Sequence, residues 1–209
     1  MSFVLASTSL RRYQILTLLN LPFLMVSPDP TEVGSDSRSP AQEALHQAHR
    51  KAASLVVRFP EAVVLGSDTL ISLDGVKIGK PRDGADARAI LRRLRGRTHE
   101  VITGVALLNE GGGGSFETVE IARVRMREFS SADLETYVAT GDSLDKAGAY
   151  SIQGAGRRLV ADLDGDYFTV VGLPLRAVVT GLRQMGVEVS IDLGRLYRER
   201  NFLNWRTFD

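Results

Sequence analysis

The side chains best placed for chemistry fall at predicted turns. Ser7, Ser9, Arg11 and Arg12 follow a short apolar run at residues 3–6 and open a stretch of leucines and isoleucine at helical spacing. Strand, hydroxyl-rich turn and helix N-terminus make a natural anion site, because free backbone amides and the helix dipole point at the turn. Arginines there suit a polyphosphate; the plain alternative is a capped helix with two solvated arginines. Asp68, in Gly66-Ser67-Asp68-Thr69, comes directly after the apolar residues 62–65 and reads as a strand end. Ligands of α/β sheets gather outside the carboxyl ends of strands. A carboxylate there can bind a divalent cation or take a proton from water, or it can simply close an Asx turn. Lys80 is held between Gly79 and Pro81 after a strand, so the backbone sets its direction. It could meet a phosphate or lie on the surface beside a turn. Lys51, in mid-helix, reads by itself as a solvated residue. Glu32, in the Pro-rich residues 27–32, says little alone.

Residues 145–154, Asp-Lys-Ala-Gly-Ala-Tyr-Ser-Ile-Gln-Gly, mix an acid, a cation, glycines and an amide in one short run. Glycines let backbone approach closely, and Lys146 and Gln153 can reach a polar ligand. Other chemistries lack their residues. His46, His49 and His99 do not form a metal motif, and His46 and His49 read as surface residues. Ser7 has no Gly-x-Ser-x-Gly context, and there is neither a Walker loop nor a dinucleotide fingerprint. Without cysteine, thiol nucleophiles, disulfides and thiolate metal sites are excluded.

The elements that must position these residues follow from pattern and punctuation. Strands are expected at residues 3–6, 61–65, 70–73, 76–78, 99–109, 116–126, 159–161 and 168–171, and an extended segment at 22–30. Helices are expected at 10–19, 40–57, 85–95, from Ser130 with Asp133 as capping-box partner, and from 173 to about 185. Asp74-Gly75 between two apolar runs signals a hairpin. Arg123, Arg125 and Arg127 alternating with Val124 and Met126 predict a strand with one wet face. Residues 111–114 are four glycines that read as a flexible link. Strands mixed with helices and hairpins give an α/β protein with a mixed sheet.

At 209 residues the chain is long enough for a sizeable core, and it suits one domain or one two-lobed unit. A net charge of +1 gives no case for a nucleic-acid or membrane partner. The first residues lack a basic region followed by an apolar one, and no apolar run reaches membrane-span length. A cytoplasmic protein is the expectation.

Taken in order, these pieces resemble the Maf family of nucleoside triphosphate pyrophosphatases. Leu5-Ala6-Ser7-Thr8-Ser9-Leu10-Arg11-Arg12 matches its Leu-Ala-Ser-x-Ser-Pro-Arg-Arg opening, with Leu10 where proline is usual. Gly66-Ser67-Asp68-Thr69 matches its Ala-Asp-Thr segment, with Ser67 for alanine. Gly79-Lys80-Pro81, Gly96 to Gly104 around His99, residues 145–154 and Gly172-Leu173-Pro174 match further motifs, and Glu32 and Lys51 match the family's loop acid and helix lysine. The resemblance covers residues 3–186. It implies a Maf/ITPase-like fold with an elongated central sheet flanked by helices and two lobes around a cleft. It also implies a domain over residues 1–189 with an extension at 190–209, and a homodimer.

The activity implied is hydrolysis of a nucleoside triphosphate to monophosphate and pyrophosphate. The resemblance makes Asp68 the general base and, with Glu32, a ligand of Mg²⁺ or Mn²⁺. Ser7, Arg11, Arg12, Lys51 and Lys80 would hold the phosphates, and Arg11, Thr69 and Gln153 would read the base. The form of residues 145–154 resembles the branch acting on dTTP and UTP, in which removal of modified pyrimidine nucleotides is one possible purpose. The branch acting on 7-methyl-GTP carries glutamate where Gln153 stands. An amide both donates and accepts, matching a uracil or thymine edge, whereas a carboxylate only accepts. Three alternatives stay open: a pyrophosphatase with 7-methyl-GTP or broad substrate preference, a nucleotide-binding division regulator without hydrolysis, and an interaction module without a ligand. The extension, with Leu193, Leu196, Tyr197, Phe202, Leu203 and Trp205, can dock on the body or a partner, or stay partly disordered.

Overall fold

The computed structural model describes residues 2–29, 38–111, 114–202 and 204–207. Strand β1 (Ser2–Ala6), helix α1 (Leu10–Thr17), strand β2 (Leu24–Val26), helix α2 (Pro40–Val56) and strand β3 (Ala62–Leu73) build the first, parallel part. A hairpin leads to β4 (Val76–Ile78), followed by α3 (Gly84–Leu94) and the long antiparallel pair β5 (Thr98–Leu108) and β6 (Ser115–Met126). Helix α4 (Ser131–Ala139), two 3-10 turns, β7 (Val160–Asp164), α5 (Tyr167–Val171), α6 (Leu175–Gln184) and α7 (Leu193–Glu199) complete it. Among the described residues seven strands form one mixed sheet, in the order β2-β1-β3-β5-β6-β7 with β4 on β3. No helix there is long and apolar enough to cross a membrane.

Local signals act as expected at several points. Asp74 and Gly75 take φ of 54° and 77°, the left-handed pair of a tight hairpin. Ser39 caps α2 with Gln42 as its reciprocal partner, and Ser130 caps α4 with Asp133. Arg123 and Arg125 are exposed between buried Ala122, Val124 and Met126. The expected glycine link includes residues 112 and 113, which lie outside the described residues.

The lobes follow from one strand face. Successive side chains of a strand point to opposite faces, so one face of β3 presents Val63, Leu65, Ser67, Thr69, Ile71 and Leu73. Val63 and Leu65 enter a core with Leu5, Val105, Phe168 and Leu182. Ile71 and Leu73 enter another with Leu91, Val124, Leu134 and Leu159. Ser67, Thr69 and the facing Thr103 form a polar waist between the two. On the opposite face, Ala48 and Ala52 of α2 pack against Val4, Val64 and Ala106.

Three expectations are corrected. Residues 62–73 are one strand, so Asp68 lies inside it; β5 pairs with it without interruption from Val64 to Ser72. Gly66 marks a close approach there, not a strand end: a Cβ at Gly66 would lie 2.1 Å from the Ala48 carbonyl oxygen, and one at Gly104 would lie 2.4 Å from that of Ala44. Residues 168–171 belong to helix α5. Asp166 caps it by accepting from the Phe168 amide, and Gly172, at φ 113°, ends it. A short run buried all round carries no period that tells helix from strand. Likewise residues 154–159 form a 3-10 turn, and the strand begins at Val160.

Gly66→Ala is expected to lower unfolding free energy by about 1–3 kcal/mol through overpacking against α2. Gly79→Ala, with open space around it, should change it by less than about 0.5 kcal/mol. Urea denaturation of both variants checks this, and equal effects would contradict the close-approach reading.

Candidate active site

One edge of β3 is shared by two partners. β1 pairs with it up to Gly66, and β4 pairs with it from Ile71. Residues 67–70 have no strand partner on that edge among the described residues. β1 stops because the chain turns at Ser7, whose amide donates to the Leu5 and Val26 carbonyls, and enters α1. Ser9 caps α1 and Ser7 Oγ accepts from the Ser9 amide at 3.0 Å. Leu10, at the position where proline is usual, starts the helix and is 73% exposed. A cleft of about 930 Å³ opens at this gap.

Asp68 and Thr69 project to opposite faces at the gap. On the α2 face, Lys51 Nζ donates to Asp68 Oδ1 at 2.6 Å, with both side chains nearly enclosed. The tight seating of α2 on Gly66 and Gly104 brings the lysine within reach. Sequence pattern alone reads Lys51 as solvated; in the fold it is the partner of Asp68. No described residue donates to Asp68 Oδ2, which is left to accept from a ligand or water.

On the other face the waist residues form a chain. Arg12 donates from Nε to the Gly172 carbonyl at 2.9 Å and from Nη2 to Thr69 Oγ1 at 3.3 Å. Thr69 and Thr103 hydroxyls meet at 2.9 Å, and Thr103 donates to the Thr169 carbonyl at 2.8 Å. Ser67 Oγ also donates to the Gly172 carbonyl, at 3.0 Å. Ser67, where alanine is usual, thus ties β3 to the end of α5. Arg12 and Thr69 are largely engaged by protein groups.

Residues 145–154 form the far wall. Lys146 does not reach into the cleft as a free cation: its ammonium donates to the Asp142 carbonyl, Asp142 Oδ1 and Asp145 Oδ1 at 2.8, 2.7 and 2.6 Å. Burial works to raise the Asp145 carboxyl, but the Lys146 hydrogen bond and charge, with Arg11 adding to them, hold it below the usual carboxylate range. Gly148 is required at φ 73°, where a Cβ would also strike Ile71. Gln153 is 7% exposed, lines the cleft, and its amide nitrogen has no hydrogen-bond partner among the described residues. A buried donor left unsatisfied is costly.

Ser7, Arg11, Arg12, Lys51, Asp68, Thr69, Lys80 and Gln153 all line this one cleft. Glu32 lies outside the described residues. Thr169 and Asp142 carry no signal in the sequence, Thr103 enters there only within the Gly96 to Gly104 motif, and Lys146 reads there as a cation that can reach a ligand. Thr103 was detectable as a polar residue on the buried face of an apolar strand. Of the histidines, His49 is exposed and pairs with Glu117, and His46 is half-buried. His99 is buried and meets the cleft residue Tyr150, Nε2 to hydroxyl 2.7 Å.

A cleft near the upper end of small-molecule size, with cationic groups and a helix N-terminus on one side and a buried amide across from them, defines an α/β protein with a site for an anionic small molecule. Comparison with known sequences narrows the class. A family model described as Maf-like protein matches residues 2–185, and the chain belongs to the Maf family. A dTTP/UTP pyrophosphatase of Symbiobacterium thermophilum is 43% identical over 186 residues, 89% of this chain and 95% of the relative. That of Dictyoglomus thermophilum is 41% identical, covering 88% and 95%. That of Pyrococcus furiosus is 39% identical, covering 84% and 91%.

Burial lowers the His99 pKa to about 4. Above the unfolded value near 6.5 both states are neutral and the penalty vanishes. As pH falls from there towards 4, the unfolded chain takes up the proton first, so stability drops, by on the order of 3 kcal/mol for this group. His99→Gln should flatten that part of a plot of urea midpoint against pH. An unchanged profile would contradict the buried neutral histidine.

Proposed function

We propose that this protein is a nucleoside triphosphate pyrophosphatase acting on dTTP and UTP. The observation that carries the reading is the Lys51–Asp68 pair at the open edge of β3, in the same cleft as the α1 N-terminus and the Gln153 amide nitrogen, which has no partner among the described residues. The relatives named above support the choice of nucleotides.

The triphosphate lies with its anionic end toward Ser7, Arg11, Lys51, Lys80 and the amides that open α1, and its base toward Gln153. Water attacks the α-phosphorus as the bond to the bridging α–β oxygen breaks. Its proton passes to Asp68, and pyrophosphate leaves carrying the electron pair of the broken bond. The work of the protein is positioning and charge stabilisation, as in phosphoryl transfer generally. Lys51 holds one Asp68 oxygen and so orients the other. Arg12, anchored on Gly172 and Thr69, fixes the start of α1 against the sheet.

A divalent cation fits this donor set. Among the described residues there is no cluster of three ligating side chains, but Mg²⁺ takes one or two carboxylates and completes its shell with substrate phosphates and water. Asp68 and Glu32 would hold the ion through oxygen alone. Bound there, it neutralises phosphate charge. Work on nucleoside triphosphates fits a cytoplasmic setting.

Gln153 can present both donor and acceptor to the O4 and N3–H of a pyrimidine. Asp68→Asn should cut pyrophosphate release from dTTP by at least about a hundredfold with little change in fold. Gln153→Glu should lower kcat/KM for dTTP and UTP by about tenfold or more, at roughly 1.4 kcal/mol per decade, and improve guanine nucleotides relative to them. A panel of dTTP, UTP, CTP, GTP and 7-methyl-GTP reads both. Near wild-type turnover in Asp68→Asn would remove the assigned base, and an unchanged ranking in Gln153→Glu would remove the base reader.

A further inference from the structure

The family match ends at residue 185, yet the chain continues, and its last part packs behind the site. Trp205 is 5% exposed. Its ring stacks on Tyr167 with centroids 5.7 Å apart and planes 18° apart, and meets Phe168 edge-on at 4.6 Å. Phe202 meets the same two rings at 6.4 and 5.4 Å. Tyr197, on α7, donates its hydroxyl to Asp166 Oδ2 at 3.0 Å, and the Arg176 guanidinium lies 3.9 Å over its ring. Asp166 is the N-cap of α5, and Tyr167 and Phe168 are its first turn. The extension therefore grips α5 at its cap and along its aromatic face.

The other end of α5 belongs to the site. Val170 and Val171 line the cleft. The Thr169 carbonyl receives Thr103, and the Gly172 carbonyl receives both Arg12 and Ser67. Tyr167 also adjoins Gln153: burial pushes the phenol pKa up, and the Gln153 side chain pulls against that rise. A five-residue helix is too short to hold its place alone; packing from outside must hold it.

We propose that the C-terminal extension, through Tyr197, Phe202 and Trp205, is a positioning element for the nucleotide site, fixing α5 and so the Arg12 anchor and the Gln153 wall. It rests on the nucleotide reading given above. The extension then sets affinity and the ranking of bases as well as stability.

The test uses the full chain as wild type, Trp205→Ala, Trp205→Phe, Tyr197→Phe and Gln153→Ala, assayed well below each measured melting temperature. Trp205→Ala should raise KM for dTTP by about five- to tenfold, the scale of one lost aromatic pair. kcat should change by less than about twofold, and the margin of dTTP and UTP over CTP and GTP should narrow. Trp205→Phe should restore most of both, and Tyr197→Phe should show a smaller effect of the same kind. A Trp205→Ala protein that melts earlier but keeps wild-type KM and ranking overturns the proposal, because the extension is then only structural. Calorimetric titration with dTTP separates the two claims. No binding by wild type sinks the nucleotide reading and this inference with it, whereas wild-type binding unchanged in Trp205→Ala sinks the inference alone. A ranking unmoved by Gln153→Ala removes the base reader, and KM then judges the extension through the Arg12 anchor.

Discussion

Everything at the site depends on an interrupted strand edge. β3 is paired along one side by β5 without a break, while its other side passes from β1 to β4 and leaves residues 67–70 open among the described residues. A continuous partner there would fill the cleft with backbone. A free strand end would leave Asp68 and Thr69 on a loop, without the fixed alternation that sends one to each face. The paired side gives rigidity and the open side gives access, a combination that suits a site needing preorganised charge.

Two close contacts keep that edge in register with its surroundings. α2 rests on Gly66 and Gly104 with no room for a β-carbon, which carries Lys51 to Asp68. Across the sheet, the Gly172 carbonyl gathers Arg12 and Ser67, which binds the start of α1 and the middle of β3 to the end of α5. The two cores on that face are separated by hydroxyls that satisfy one another and nearby carbonyls. The polar waist is stable because its members are hydrogen-bonded, as buried polar groups must be, whereas the buried Gln153 amide nitrogen has no partner among the described residues.

Much of this was legible in the sequence. The Asp74-Gly75 hairpin, the capping boxes at Ser39 and Ser130 and the arginine alternation in β6 are local signals, and each is realised locally. The grouping of Ser7, Arg11, Lys51, Asp68, Lys80 and Gln153 came through resemblance, since no spacing rule links residues so far apart. Where reading failed, the cause was tertiary. Gly66 signals a strand end to any local rule, but it is there for a helix that arrives from another part of the chain. Residues 168–171 are buried or half-buried throughout, so their helix is decided by Asp166 and Gly172, not by a period. Lys51 reads as solvated until its helix is seated. The docking of Trp205 depends on partners Tyr167 and Phe168, more than thirty residues earlier.

The proposed function makes one chemical commitment: attack at the α-phosphorus, beside Asp68, with pyrophosphate as the leaving group. Product analysis of dTTP turnover in heavy-oxygen water addresses this most directly. The account predicts dTMP and pyrophosphate in equal amounts, with the heavy oxygen in dTMP. Formation of dTDP and inorganic phosphate, or heavy oxygen recovered in pyrophosphate, would contradict it.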